Sequence, residues 1–183
     1  MRIKLLATTA AFALVLGTSA MAVTDPMVGG AAMFPTKNII ENAVNSKDHT
    51  TLVAAVKAAD LVATLEGPGP FTVFAPTNAA FAALPTGTVD TLLKPENKGK
   101  LTQVLTYHVV PGRYDKMAIE TAIKTAPGGK AMLKTAEGEM LTVADANGTL
   151  WVTDQMGNTA RVTIPDVYQS NGVIMVVDKV LMP

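Results

Sequence analysis

No cysteine occurs anywhere in this chain of 183 residues. Disulfides are thereby excluded as a source of stability, and zinc and iron–sulfur centres lose their principal ligand. Histidine is nearly as scarce: the sequence holds two, His49 and His108, and neither has a partner at metal-ligand spacing. The serines are Ser19, Ser46 and Ser170, none of them in a strand-to-helix elbow that would expose a nucleophile. Neither sign of charge dominates, with 15 basic and 15 acidic residues. No positive field is therefore available for nucleic acid, which needs clustered Lys and Arg against its phosphates. These scarcities leave no residue set for catalysis, a cofactor or a metal, and the chain reads as a non-enzyme.

What is present begins with a leader. Arg2 and Lys4 precede an apolar run over residues 5–16, and Thr18-Ser19-Ala20-Met21-Ala22 supplies small residues where a signal peptidase reads. This is the pattern of a secretory signal peptide over residues 1–22, cleaved after Ala22 and too short for a bilayer-spanning helix. Its removal takes away two basic residues and no acidic one, so the mature chain is slightly acidic. With no cysteine after the run, a lipoprotein anchor is excluded, and no later apolar stretch is long enough to span a membrane. The expected product is secreted or periplasmic. At about 160 residues it suffices for one domain held by its core alone.

Residues 23–36 lack a period and contain two prolines and two glycines, which predicts an extended arm whose Met27, Val28, Met33 and Phe34 lie against the domain. Ile39, Ile40, Ala43 and Val44 share one face of a short helix. Leu52, Val53, Val56 and Ala59 form the buried stripe of a second, begun by Asp48 or Thr50. Thr88 caps a further helix, and Pro95 opens another whose apolar face is Leu101, Val104 and Leu105. Residues 107–110 are predicted as strand. From Lys130 onward, short strands alternate with Glu137-Gly138, Asn147-Gly148 and Gly157-Asn158, turn dipeptides that accept positive φ. Asn147-Gly148-Thr149 is formally a glycosylation sequon and more simply a hairpin tip.

Two segments carry more. Phe71-Thr72-Val73-Phe74-Ala75-Pro76-Thr77-Asn78 reads as a strand ended by Pro76, which lacks a backbone donor, passing into a helix capped by Thr77 or Asn78. Asn171-Gly172-Val173-Ile174-Met175-Val176-Val177-Asp178 reads as a turn followed by an apolar strand. With Tyr107-His108-Val109-Val110-Pro111 between them in chain order, they resemble the two motifs and the Tyr-His segment of the fasciclin (FAS1) domain, in particular its single-domain bacterial members. The resemblance covers residues 37–183. It implies an α+β fold, a wedge of two short-stranded β-sheets flanked by a layer of helices, with the two motifs as neighbouring central strands. It also implies a role in cell adhesion or in surface or host attachment, without catalytic residues, cofactor or metal. Structural roles fall to Thr72, Pro76, Thr77, Asn78, Asn171, Gly172 and Asp178. Where relatives carry histidine between the aliphatic pairs of the second motif, this chain has Met175, which packs but does not titrate.

Two elements used for cell contact in relatives give the candidate adhesion residues. Tyr107 and His108 have apolar neighbours, so they read either as core side chains with satisfied polar tips or as a docking strand that must open. Pro165-Asp166-Val167 reads as a turn presenting an exposed carboxylate, or as an Asp that only caps that turn. The partner would be a protein or glycan of the envelope or extracellular space. A rival from another class is a carrier holding a lipid or metabolite between helices and sheet, whose signature is an apolar cavity with a few convergent polar groups. The methionines beyond the leader are scattered, which favours packing over copper binding. His49, beside Asp48 at a helix start, is expected in solvent.

Overall fold

A computed structural model describes residues 25–183; the signal-peptide expectation over residues 1–22 lies outside them. The arm is not loose. Met27–Val28 (β1) and Ala31–Ala32 (β2) pair antiparallel around Gly29-Gly30. Both glycines have positive φ, the geometry a two-residue hairpin turn demands. Val28 and Met33 enter the core, whereas Met27 and Phe34 are exposed.

Helices dominate as far as residue 107. Ile39–Ala43 (α1) starts with a reciprocal capping box: Asn38 Oδ1 accepts the Glu41 N–H at 2.9 Å and Glu41 Oε2 accepts the Asn38 N–H at 2.8 Å. After a 3₁₀ turn at Lys47–His49 come Thr50–Ala58 (α2) and Val62–Leu65 (α3). Strand Phe71–Pro76 (β3) leads into Asn78–Ala82 (α4), capped by Thr77 Oγ1 accepting from Ala80 N at 3.3 Å. Thr88–Leu92 (α5) is preceded by Gly87 rather than capped by Thr88. The 3₁₀ turn Pro95–Asn97 opens Lys98–Tyr107 (α6), and Val109–Pro111 (β4) follows.

The predicted strand over residues 107–110 is therefore corrected: Tyr107 ends α6 and His108 is its C-cap. The stripe Leu101, Val104, Leu105 recurs at His108, and His108 Nδ1 bonds the Val104 carbonyl one turn back. Helical spacing thus persists until the β-branched pair Val109-Val110 takes over. A helix that the apolar pattern did not assign, Lys116–Thr125 (α7), buries Ile119 and Ile123 one turn apart.

The remaining strands are Ala131–Lys134 (β5), Met140–Ala146 (β6), Thr149–Thr153 (β7), Thr159–Gln169 (β8) and Gly172–Val177 (β9). They join β3 and β4 in the order β4-β3-β9-β8-β7-β6-β5. The two motif strands, β3 and β9, lie side by side and parallel, with Phe74 opposite Met175. β8 is shared: its first three residues pair with β7 and, from Val162 on, it pairs with β9 through two register shifts. The ladder thus bends into two sheets, the wedge that the resemblance implies. Its outer strands meet again where Ala136 N–H donates to the Val109 carbonyl at 2.7 Å.

Period-two alternation in β9 feeds two cores. Val173, Met175 and Val177 face an inner core enclosed by the curled sheet and α7, together with Phe74, Leu141, Val143, Val152 and Leu181. Ile174 and Val176 face a second core beneath α1, α2 and α6, with Val73, Ala75, Leu52 and Val56.

Candidate functional site

The motif polar groups tie segments together. Thr72 Oγ1 donates to the Gly112 carbonyl at 2.7 Å and accepts the Tyr114 N–H at 2.8 Å. Pro76 needs no donor, because the backbone nitrogens of alternate residues point toward β4, as Phe74 N does toward the His108 carbonyl, and β4 does not extend that far. Asn78 Oδ1 accepts the Thr51 N–H at 3.0 Å and its Nδ2 donates to the Lys47 carbonyl at 2.8 Å, so the start of α2 is capped from a distant residue. Asn171 Oδ1 accepts the Ile39 N–H, while its Nδ2 donates to the Leu65 and Gly67 carbonyls. A Cβ on Gly172 would collide with the Phe71 carbonyl, so only glycine lets β3 and β9 approach there. Asp178 Oδ1 accepts the Arg161 N–H at 2.8 Å.

Tyr107 and His108 are buried with their polar atoms engaged. The Tyr107 hydroxyl donates to the Met140 carbonyl at 3.4 Å and accepts the Gln155 N–H at 3.2 Å. His108 Nδ1 lies 2.8 Å from the Val104 carbonyl, and its Nε2 accepts the Leu181 N–H at 3.0 Å. This bonding requires a neutral ring with its proton on Nδ1. Burial lowers its pKa from 6.5 to about 4. His108 therefore latches the C-terminal segment to the end of α6, and neither side chain of the pair is presented at the surface.

Pro165-Asp166-Val167 is not a turn ahead of the second motif but the bulged middle of β8. The extra residue puts Asp166 at φ 57°, a left-handed conformation that Asp tolerates better than most side chains. The carboxylate expected to be exposed is half-buried: its Oδ1 accepts the Lys116 N–H at 2.6 Å. Asp115 Oδ1 takes the Ala118 N–H at 2.8 Å, so two carboxylates serve the free donors and positive dipole end of α7. Val167 is wholly buried. What the surface shows is Tyr168, whose hydroxyl donates to Asp115 Oδ2 at 3.3 Å, and Met117 on the first turn of α7. The spacing of the missed helix, with Asp115 three residues before Ala118 and Ile119 four before Ile123, was the signal that could have found this patch.

His49 is the other correction. It is 3% exposed rather than in solvent, because α2 starts directly after it and turns its ring inward. Its Nδ1 lies 2.9 Å from Ser46 Oγ. Desolvation lowers its pKa, against an opposing pull from the Ala75 carbonyl and then from Asp48. The ring forms part of the wall of a cavity of about 50 Å³ between the helical layer and the sheet, lined besides by Ser46, His108 and mostly apolar side chains such as Ile40, Leu52, Val56 and Ile174. Ser46 and His49 are not a hydrolytic dyad with an orienting acid, since Nε2 has no hydrogen-bond partner among the described residues. Nor do three His, Asp or Glu side chains converge among the described residues to hold a metal.

This architecture, a bent sheet with a helical layer over its two motif strands, is that of the fasciclin wedge. It superposes on a FAS1 domain pair from the insect cell adhesion molecule Fasciclin I with a TM-score of 0.70 at 16% identity, over 80% of this chain and 51% of that one. The family model for the Fasciclin domain matches residues 47–183, and the chain belongs to that family. Protein sll1483 of Synechocystis is 49% identical over 177 residues, 94% of this chain and 91% of its own length. Cell surface glycolipoprotein MPB83 of Mycobacterium bovis is 34% identical, over 91% of this chain and 64% of its own. No described helix is long and apolar enough to cross a membrane.

Proposed function

We propose that this protein is exported by its N-terminal signal, acts in the periplasm or outside the cell, and mediates adhesion or surface attachment as a non-catalytic module that binds a protein or glycan. The observation that carries this reading is the patch around the β8 bulge. Tyr168 is 41% and Met117 75% exposed, beside the half-buried Pro165 and Asp166 and the first turn of α7. Exposed Tyr and Met are enriched where proteins meet partners, and both elements beneath them are rigidly tied. Two similar proteins, an insect cell adhesion molecule and a mycobacterial cell surface glycolipoprotein, support the same class. Val167 is buried behind this face, Pro165 and Asp166 belong to it, and Tyr107 and His108 serve the fold through their bonds to Met140, Gln155, Val104 and Leu181.

The test is attachment of a deletion strain complemented with wild type, Tyr168→Ser or Met117→Ser. Wild type should restore attachment, and either variant should reduce it at unchanged melting temperature. Full attachment by the deletion strain on every surface tried would reject the reading. For carriage of a lipid between helices and sheet, the described residues enclose a cavity of about 50 Å³, room for a few waters at about 10–15 Å³ each and too small for an acyl chain.

A further inference from the structure

Strands β5 to β8 wall the inner core with Leu141, Val143, Val152 and Ala160 among others, so their alternate residues point away from it. Register sets these outward residues in rows. Met132, Thr142, Thr153 and Thr159 stand opposite one another across all four strands, and Ala144, Trp151 and Arg161 across three. Neighbours in a row are about 4.8 Å apart. None of these residues is buried, and the face is open to solvent.

Unlike Thr135 and Thr163, whose hydroxyls bond backbone carbonyls, Thr142, Thr153 and Thr159 make no side-chain hydrogen bond among the described residues. Trp151 is half-buried and stands opposite the small Ala144, which leaves part of its ring uncovered. Arg161 is aimed by Asp178, whose Oδ2 lies 3.5 Å from its Nε. Its two terminal nitrogens are left to grip another carboxylate. Lys134, opposite Met140 at the far corner of the face, has no ion pair among the described residues.

We propose that this face binds an acidic polysaccharide, with one sugar ring stacked on Trp151, its carboxylate on Arg161, its hydroxyls on the threonine row, and a later carboxylate of the chain reaching Lys134. A uronic acid ring presents an apolar C–H face, a rim of hydroxyls and a carboxylate, the same three chemistries that the rows are built to meet. Addition of a peptide strand is excluded here, because β6 and β7 are already paired on both sides. A protein partner would need a desolvated apolar centre, and hydroxyls occupy the middle row. The face shares no residue with the patch at the β8 bulge.

The probe is a hexamer of galacturonic acid titrated into the full chain, with a glucose hexamer as the neutral comparison and an aspartate hexamer as charge without sugar. Trp151 fluorescence reads this face alone, since the chain has no other tryptophan. A saturable change with the uronate hexamer is expected. By calorimetry, Trp151→Ala should weaken it about tenfold, the loss of a ring contact. Arg161→Gln should weaken it about tenfold or more, the loss of a charged hydrogen bond, and bring it level with the glucose hexamer. Tyr168→Ser should bind the hexamer as wild type does, so this site and the attachment patch stand or fall separately. If Trp151→Ala does not fold, Arg161→Gln decides. Absence of a saturable change, equal affinity for the glucose or aspartate hexamer, or full affinity in either folded variant would each overturn the proposal.

Discussion

The two cores on either side of β9 are built from the same aliphatic residues and end up differently. The inner one is walled by hydrogen-bonded strands whose register sets each neighbour, so Phe74, Leu141, Val143, Val152 and Met175 are completely buried and its boundary histidine, His108, has both ring nitrogens satisfied. The other is roofed by α1, α2, α3 and α6, of five, nine, four and ten residues, and retains a cavity and a His49 Nε2 without a hydrogen-bond partner among the described residues. A ladder aligns side chains row by row, whereas short helices joined by loops settle wherever their capping bonds hold them. The difference shows that close packing here follows from strand register more than from apolar content.

The largest effect should come from breaching the inner core. Phe74→Ala should cost about 4 kcal/mol, as large-to-small changes do in tightly walled sites. Leu52→Ala beside the existing cavity should cost less, about 2 to 3 kcal/mol. Urea titrations would compare them, and equal costs would break the contrast.

Acid comes next. The folded pKa of His108, about 4, lies below its unfolded value of 6.5, so between these values the unfolded chain binds the proton and the folded chain does not. Stability is complete above pH 6.5 and falls as pH drops toward 4, by about 3 kcal/mol. The downward shift of His49 acts in the same direction. His108→Gln should be less stable at pH 7 yet lose less on acidification, a flattening read from denaturation midpoints at several pH values.

Met175→His, the residue that the resemblance implies at this position, would place a polar ring against Phe74 in the sealed core. It should cost about 2 kcal/mol at pH 7, and more at pH 5. A neutral result would mean the inner core has unsuspected room.

The smallest effect separates structure from contact at the bulge. Asp166→Ala removes the bond to Lys116 N and leaves an alanine at positive φ, costing about 1 kcal/mol. Asp166→Asn keeps the acceptor and the left-handed geometry, and should keep the melting temperature. If Asp166→Asn lowers attachment, the charge itself makes contact; if only Asp166→Ala does, the residue acts by holding α7.

Much of this was legible in the chain. Thr77 as a cap, Asn147-Gly148 as a hairpin turn and the two motif strands all follow from local rules, and the motifs placed those strands together across about a hundred residues. Local rules failed where a partner distant in sequence decided. Tyr107 looks like the start of a strand until the helical stripe is followed through to His108. The β8 bulge is invisible because its extra residue is defined only against β9. His49 reads as solvated because the residues gathered around it, Val28 and Met33 of the arm and Ala75 of β3, come from either side of it in the chain.

By itself the sequence determined the family, the helix-then-strand order and the residues that cap and turn the chain, because these depend on spacing, backbone donors and allowed φ over a few neighbouring positions. Only the tertiary structure decided which carboxylate serves a helix and which side chain remains exposed. It alone left one histidine satisfied and the other facing a void, since burial and hydrogen-bond partnership belong to pairs of segments that meet only when the sheet curls and the helices close over it.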